Sequence, residues 1–393
     1  MPSATLATPV SATAARDQLV RYWLPPLLTG IIAFFILVAV GDTPVIRSGG
    51  MALAIVGVAL GLRRMGAMLC SIAGLILLMI PAFWAQSGGQ FGDFATVVIA
   101  LIVAFVAMVV LSLALRRPTF GLGIGIVIFA GLFWSQIGTP QSLRLGGFVV
   151  GWLMFLIIDM LLMTNPHPSD SAPLIMRLQG IETGKAREDG SYAAQPYHTL
   201  GILLLYAVGI LNDGSLVFLA PTVILSLALT KNRLPRWYWL AMTILVLIGL
   251  RGFAVDYLQL RDYQFLIEKW RDADRWFDVS QIIVRQFSPV GIALSILGLS
   301  RLARWYPVLG IVTMFGYGAY FMFGLVYVGP YRAILMMPLF IIQITWMTYA
   351  IFAIGEWSKK SLPQLSPYVS WVVYGLYGLI PLQMLLNITN VVN

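Results

Sequence analysis

The feature that most constrains this chain is a succession of continuous apolar runs, most of them close to the roughly 20 residues that a helix needs to cross bilayer hydrocarbon. The runs fall at 22–41, 48–62, 66–85, 94–115, 119–138, 145–164, 197–212, 215–230, 236–255, 288–303, 307–328, 331–355 and 367–390. A backbone in lipid must satisfy its own N–H and C=O groups, which leaves helices or closed barrels. Barrel strands alternate apolar and polar residues, and these runs do not alternate. Only 10% of the residues are charged, where a soluble domain carries roughly a quarter. The expected fold is therefore all-α, a polytopic transmembrane bundle of about 13 spans.

The net charge of +9 does not point to nucleic acid, because the basic residues sit in short groups between apolar runs rather than along one face. Arg63 and Arg64 split the stretch 48–85 into two spans, since two arginines at mid-bilayer are costly. With the N-terminus inside, the inner segments hold 16 basic residues: Arg16, Arg21, Arg63, Arg64, Arg116, Arg117, Arg177, Lys185, Arg187, Lys231, Arg233, Arg236, Arg301, Arg304, Lys359 and Lys360. The short outer loops hold Arg47, Arg144 and Arg332. The positive-inside rule then puts the N-terminus in and the C-terminus out. Cys70 lies within an apolar run, and His167 and His198 form no ligand cluster, so neither a disulfide framework nor a cysteine or histidine metal site is expected.

The organisation read from the chain is a cytoplasmic tail over 1–21, a six-span bundle over 22–164, a cytoplasmic linker over 165–196 and a seven-span bundle over 197–393. The linker is rich in Pro, Gly, Ser and charge. Within the second bundle, Tyr263, Leu266, Ile267, Trp270, Ala273 and Phe277 recur at helical spacing among charged residues. This predicts an outer amphipathic helix over 257–287, either an interfacial anchor or a cover for an outer site. The two halves show no matched pair of broken helices, the usual pointer to a transporter built from inverted repeats.

Few charged groups lie near the spans. Asp42 ends the first span, Asp93 opens the fourth and Asp213 caps a turn in LNDGS. Arg251 and Asp256 close the ninth span, and Arg332 opens the twelfth, all on the expected outer side. An Asp before a helix caps free N–H groups, and an interfacial arginine snorkels to headgroups. Together, however, they sketch an outward polar site with carboxylates for a base or metal and arginines for a phosphate. Asp159 stands alone inside an apolar run. It is either functional, protonated, or bonded to a neighbouring helix.

Three stretches carry a resemblance to a known superfamily: ILLLYAVGILNDGSLVFLAPTVILSLAL followed by the basic turn KNRLPR, RQFSPVGIALSILGLSRLAR, and VYVGPYRAILMMPLFII. They resemble the late spans of the GT-C superfamily of polytopic membrane glycosyltransferases, in particular protein-mannosyltransferase-like members. The resemblance covers about 201–355. It implies a GT-C-like fold and inverting transfer of a sugar from a polyprenyl-phosphate carrier at the outer membrane face, in some members with a divalent metal. By that resemblance, Asp42 is the base, Asp93 assists or binds metal, and Arg332 holds the carrier phosphate. The first outer loop, GDTPVIRSGG, departs from the family in having one acid and no room for a surface helix. The expectation is thus a divergent glycosyltransferase, active or not, in a bacterial plasma membrane, with membrane lipids and a polyprenyl-phosphate sugar as partners. Two other classes stay open: a transporter for a lipid or small solute, with a polar path at Asp159, and a structural subunit that packs against membrane-protein partners.

Overall fold

The computed structural model describes residues 22–41, 43, 45–86, 141–165, 196–230, 234–258 and 265–392, with single positions at 102, 104–106, 108–110, 125, 127 and 128. Within them the chain is helical and has no strand. The runs expected at 94–115 and 119–138 and the tail over 1–21 lie wholly or largely outside the described residues, as does most of the linker.

The first half supplies α1 (Leu24–Ala39), α2 (Val45–Leu62), α3 (Ala67–Met79), the short α4 (Pro81–Trp84) and α5 (Gln141–Thr164). The second supplies α6 (Pro196–Asn212), α7 (Ala220–Ala228), α8 (Arg236–Phe253), α9 (Ala273–Trp305), α10 (Pro307–Val326), α11 (Arg332–Leu335), α12 (Met337–Ser361) and α13 (Ser366–Val392). The chain does break at the paired arginines: Arg63–Met65 is a tight turn, and Gly66 after it has φ +115°, a conformation that favours glycine.

Among the described residues, 5 helices are long and apolar enough to cross a membrane: Arg47–Met65, Gly146–Thr164, Ala273–Trp305, Pro307–Val326 and Met337–Ser361. Others, such as Leu24–Ala39 and Pro196–Asn212, are apolar but shorter. Burial sorts them into layers. The apolar windows of α2, α5 and α12 are almost wholly enclosed, and α9 and α10 are far less so. On α1, Leu24, Leu27, Leu28, Ile31 and Phe35 face outward, as do Leu240, Ile244, Leu247 and Ile248 on α8. Apolar stripes of this size on the outside, around helices that are apolar throughout, suit a lipid surround and not water.

Close backbone approach holds the centre together. Gly57 of α2 faces Gly151–Trp152 of α5, and Gly298 of α9 lies directly against the Trp346 carbonyl of α12. Without water to drive apolar association in lipid, small residues at crossings permit the dispersion contacts that replace it.

The amphipathic segment differs from its sequence reading. A π-turn covers Ala254–Leu258, a tight turn covers Ile267–Arg271, and a new helix starts at Ala273 after Asp272. That helix runs straight into the expected span at 288–303, interrupted at Ser288 (φ 61°, ψ 167°) just before Pro289. Proline cannot donate to the helical ladder and pushes the residue before it out of the α region, so the segment divides at Ser288, where the sequence reading also ends its interfacial helix and opens a separate span. The end of α3 is interrupted in a related way, with Ile80 extended before Pro81. Gln286 joins the two breaks, its Oε1 accepting the Ala82 N–H at 3.0 Å.

Candidate functional site

Two polar centres lie towards opposite ends of the helices. The first surrounds Asp159. Its Oδ1 accepts from Arg63 Nη2 and Arg64 Nη2, each at 2.8 Å, and its Oδ2 stands 3.1 Å from His198 Nε2. Arg64 belongs to the turn after α2 and His198 to the first turn of α6, so three helices meet at one carboxylate. With Oδ1 taken by two guanidinium groups, the His198 ring suits the tautomer that donates Nε2–H to Oδ2. The Arg63 guanidinium also lies over the rings of Trp23 and Phe155 at 5.3 and 5.0 Å. All four polar side chains are 5% exposed or less. The sequence reading takes the two arginines as topology signals and finds no ligand cluster for His198. The signal that could have found them is depth: Arg63, Arg64, Asp159 and His198 all fall at the same expected end of their runs.

The second centre is built on the turn between α10 and α11. Tyr327 OH donates to the Pro330 carbonyl at 2.9 Å, Tyr331 is left-handed (φ 59°), and Arg332 opens α11. Arg275, near the start of α9, donates from Nη2 to the Tyr327 carbonyl at 2.6 Å and from Nε to the Leu325 carbonyl at 3.2 Å. It thereby covers the free carbonyls at the end of α10, where a cation is favoured. Asp278 Oδ2 lies 3.7 Å from Arg275 and 4.0 Å from Arg332, so two guanidinium groups share one carboxylate. Arg275 and Asp278 were not among the expected site residues; each lies in the segment read as amphipathic, where a charge ordinarily faces water.

The remaining candidates divide. Asp213 is a buried cap: its Oδ1 accepts from Ser215 N–H at 2.8 Å and from Tyr257 OH at 3.0 Å. Tyr257 and Tyr327 meet edge to face at 5.8 Å, so Asp213 and the Arg332 turn flank one aromatic cluster that includes Phe253, Phe265 and Phe323. Arg251 is exposed in the last turn of α8, and Asp256 lies in the π-turn that follows, its side chain outside the described residues. Asp42 and Asp93 also lie outside them. Gly41, beside Asp42, stands against Trp84 of α4, and α4 packs against α11, which carries Arg332. Among the described residues no group of three or more His, Cys, Asp or Glu is placed to hold a metal ion.

Comparison of the chain with protein-family models, curated proteins and solved structures gives no match.

Proposed function

We propose that this chain is a membrane protein of about 13 spans, N-terminus in and C-terminus out, that binds a lipid-linked phosphate at its outer face and transfers a sugar from it. The observation that carries this reading is the Arg332 guanidinium. It is mostly enclosed, makes no hydrogen bond among the described residues, and shares one distant carboxylate with Arg275. A half-buried cation with free donors beside a second cation is a receptor for phosphate oxygens.

In the proposed reaction the acceptor hydroxyl oxygen bonds to the anomeric carbon while the bond from that carbon to the phosphate oxygen breaks. The acceptor proton goes to the Asp42 carboxylate, and polyprenyl phosphate leaves with its charge held by Arg332. Asp93 assists the base. The transport alternative called for a polar path at Asp159. That carboxylate is closed on both oxygens by three side chains and is buried, which favours a pin between helices over a path.

The test is binding and turnover by the purified full chain in nanodiscs. Polyprenyl phosphate should bind at least tenfold more tightly than polyprenol, and Arg332→Gln should remove that preference. Asp42→Asn should keep binding and lose sugar release from a polyprenyl-phosphate sugar. Equal binding of polyprenol and polyprenyl phosphate by the wild type overturns the proposal.

A further inference from the structure

A second place in the molecule collects unused donors. At the Ser288–Pro289 break of α9 lies a cavity of about 300 Å³, walled by Val284, Arg285, Gln286, Phe287, Ser288 and Pro289 and closed on the other side by Ile380, Gln383 and Met384 of α13. The α13 wall also carries a proline inside the helix, Pro381.

The polar groups of this cavity are incompletely used. Gln286 is 6% exposed; its Oε1 takes the Ala82 N–H, while its Nε2 makes no hydrogen bond among the described residues. Ser288 Oγ is buried with no partner. Arg285 and Gln383 also line the cavity but are exposed, and neither side chain has a hydrogen-bond partner among the described residues. Buried polar atoms are almost always paired with protein, water or ligand, so the Ser288 hydroxyl calls for a partner, and the Gln286 amide and the exposed Arg285 and Gln383 side chains are further donors open to the same acceptor. Around these groups Phe287, Ile380 and Met384 make the rest of the lining apolar. Ser288 adds a further sign, because a non-glycine residue at φ 61° and ψ 167° is kept there only where its surroundings hold it.

We propose that this cavity is a binding site for a small phosphate-bearing group, separate from the Arg332 turn and independent of the function proposed above. Arg285 supplies the charge, and Gln286, Ser288 and Gln383 supply donors to the remaining oxygens. The volume suits a headgroup and not a whole lipid. The apolar side of the lining suits the glycerol backbone of a phospholipid, and a soluble phosphate ester would satisfy the same donors.

Native mass spectrometry of the detergent-purified full chain tests it, with dioleoyl phosphatidylglycerol, dioleoyl phosphatidylcholine and glycerol 3-phosphate as probes. One phosphatidylglycerol retained at least tenfold more tightly than phosphatidylcholine identifies a lipid headgroup as the source. Competition by glycerol 3-phosphate at similar concentration identifies a soluble one. Arg285→Gln with Gln383→Leu should weaken either at least tenfold, as should Ser288→Gly, which removes the hydroxyl while fitting the backbone angle. Arg332→Gln should leave this binding in place, which separates the cavity from the other centre. If neither anionic probe is preferred over phosphatidylcholine, or if the Arg285→Gln/Gln383→Leu/Ser288→Gly chain binds as the wild type does, the proposal is overturned.

Discussion

Arg63 and Asp159 stand 96 positions apart in the chain and meet as a buried ion pair at 2.8 Å. The pair is part of a cluster in which Arg64 shares the same carboxylate oxygen and His198 takes the other. Moving charges out of water is costly, and their mutual attraction offsets that cost only with good geometry and full hydrogen bonding. Here the carboxylate is served on both oxygens by side chains from three segments. The cluster therefore specifies how α2, α5 and α6 sit together more than it adds net stability.

Asp159→Asn should destabilise the protein by about 3–5 kcal/mol, because two buried guanidinium groups lose their counter-charge. Replacing all three charged members together, Arg63→Met, Arg64→Met and Asp159→Leu, should recover part of that loss. Thermal unfolding in detergent measures both. An Asp159→Asn chain with the wild-type midpoint would show that the cluster carries no such role.

At the crossing of α9 and α12, Gly298→Ala would put a methyl group into the Trp346 carbonyl and force the helices apart. Overpacking of this kind costs about 1–3 kcal/mol. Gly318 on α10 has nothing within 4 Å of an added Cβ. Gly318→Ala is the control and should be neutral, or stabilising by up to about 1 kcal/mol from helix propensity. Equal midpoints for the two variants would mean that the crossing is loose.

Asp213 should behave as a structural cap. Asp213→Ala removes both the Ser215 hydrogen bond and the acceptor of Tyr257 and should cost about 1–2 kcal/mol. Asparagine at this position can still accept both bonds, so Asp213→Asn should lose less than half as much and retain polyprenyl-phosphate binding. Abolition of that binding by Asp213→Asn, at unchanged stability, would assign the carboxylate to the site instead.

Tyr331 holds the turn that presents Arg332 in a left-handed conformation. Its ring is exposed, so little packing is lost on substitution. A β-branched residue resists that conformation more than tyrosine does, and Tyr331→Val should cost about 1–2 kcal/mol and weaken polyprenyl-phosphate binding by displacing the guanidinium. Tyr331→Asn, which tolerates the left-handed region, should do neither. The two are distinguished by measuring midpoint and affinity on the same preparations.

The aromatic and glycine content of the helices was legible early because it follows from composition and spacing. The break at Arg63–Arg64 was legible too, since charge at mid-bilayer is costly wherever it occurs. The division at Ser288 was legible as well, because an apolar run opens there, but the turns ahead of Ala273 were not. Leu266, Ile267, Trp270, Ala273 and Phe277 recur at helical spacing across those turns, and spacing alone does not show where a helix is interrupted.

The sequence by itself determined what kind of solvent the chain needs and where most of its described helices lie, because both depend on the local run of apolar residues. Only the tertiary structure decided which charges meet: Asp159 with Arg63, Arg64 and His198, and Arg332 with Arg275 and Asp278. Those partnerships depend on the depth and rotation of helices that are distant in the chain. Apolar periodicity restricts depth and rotation without setting them, and they are settled when backbones close at glycine contacts and each buried charge finds its donors.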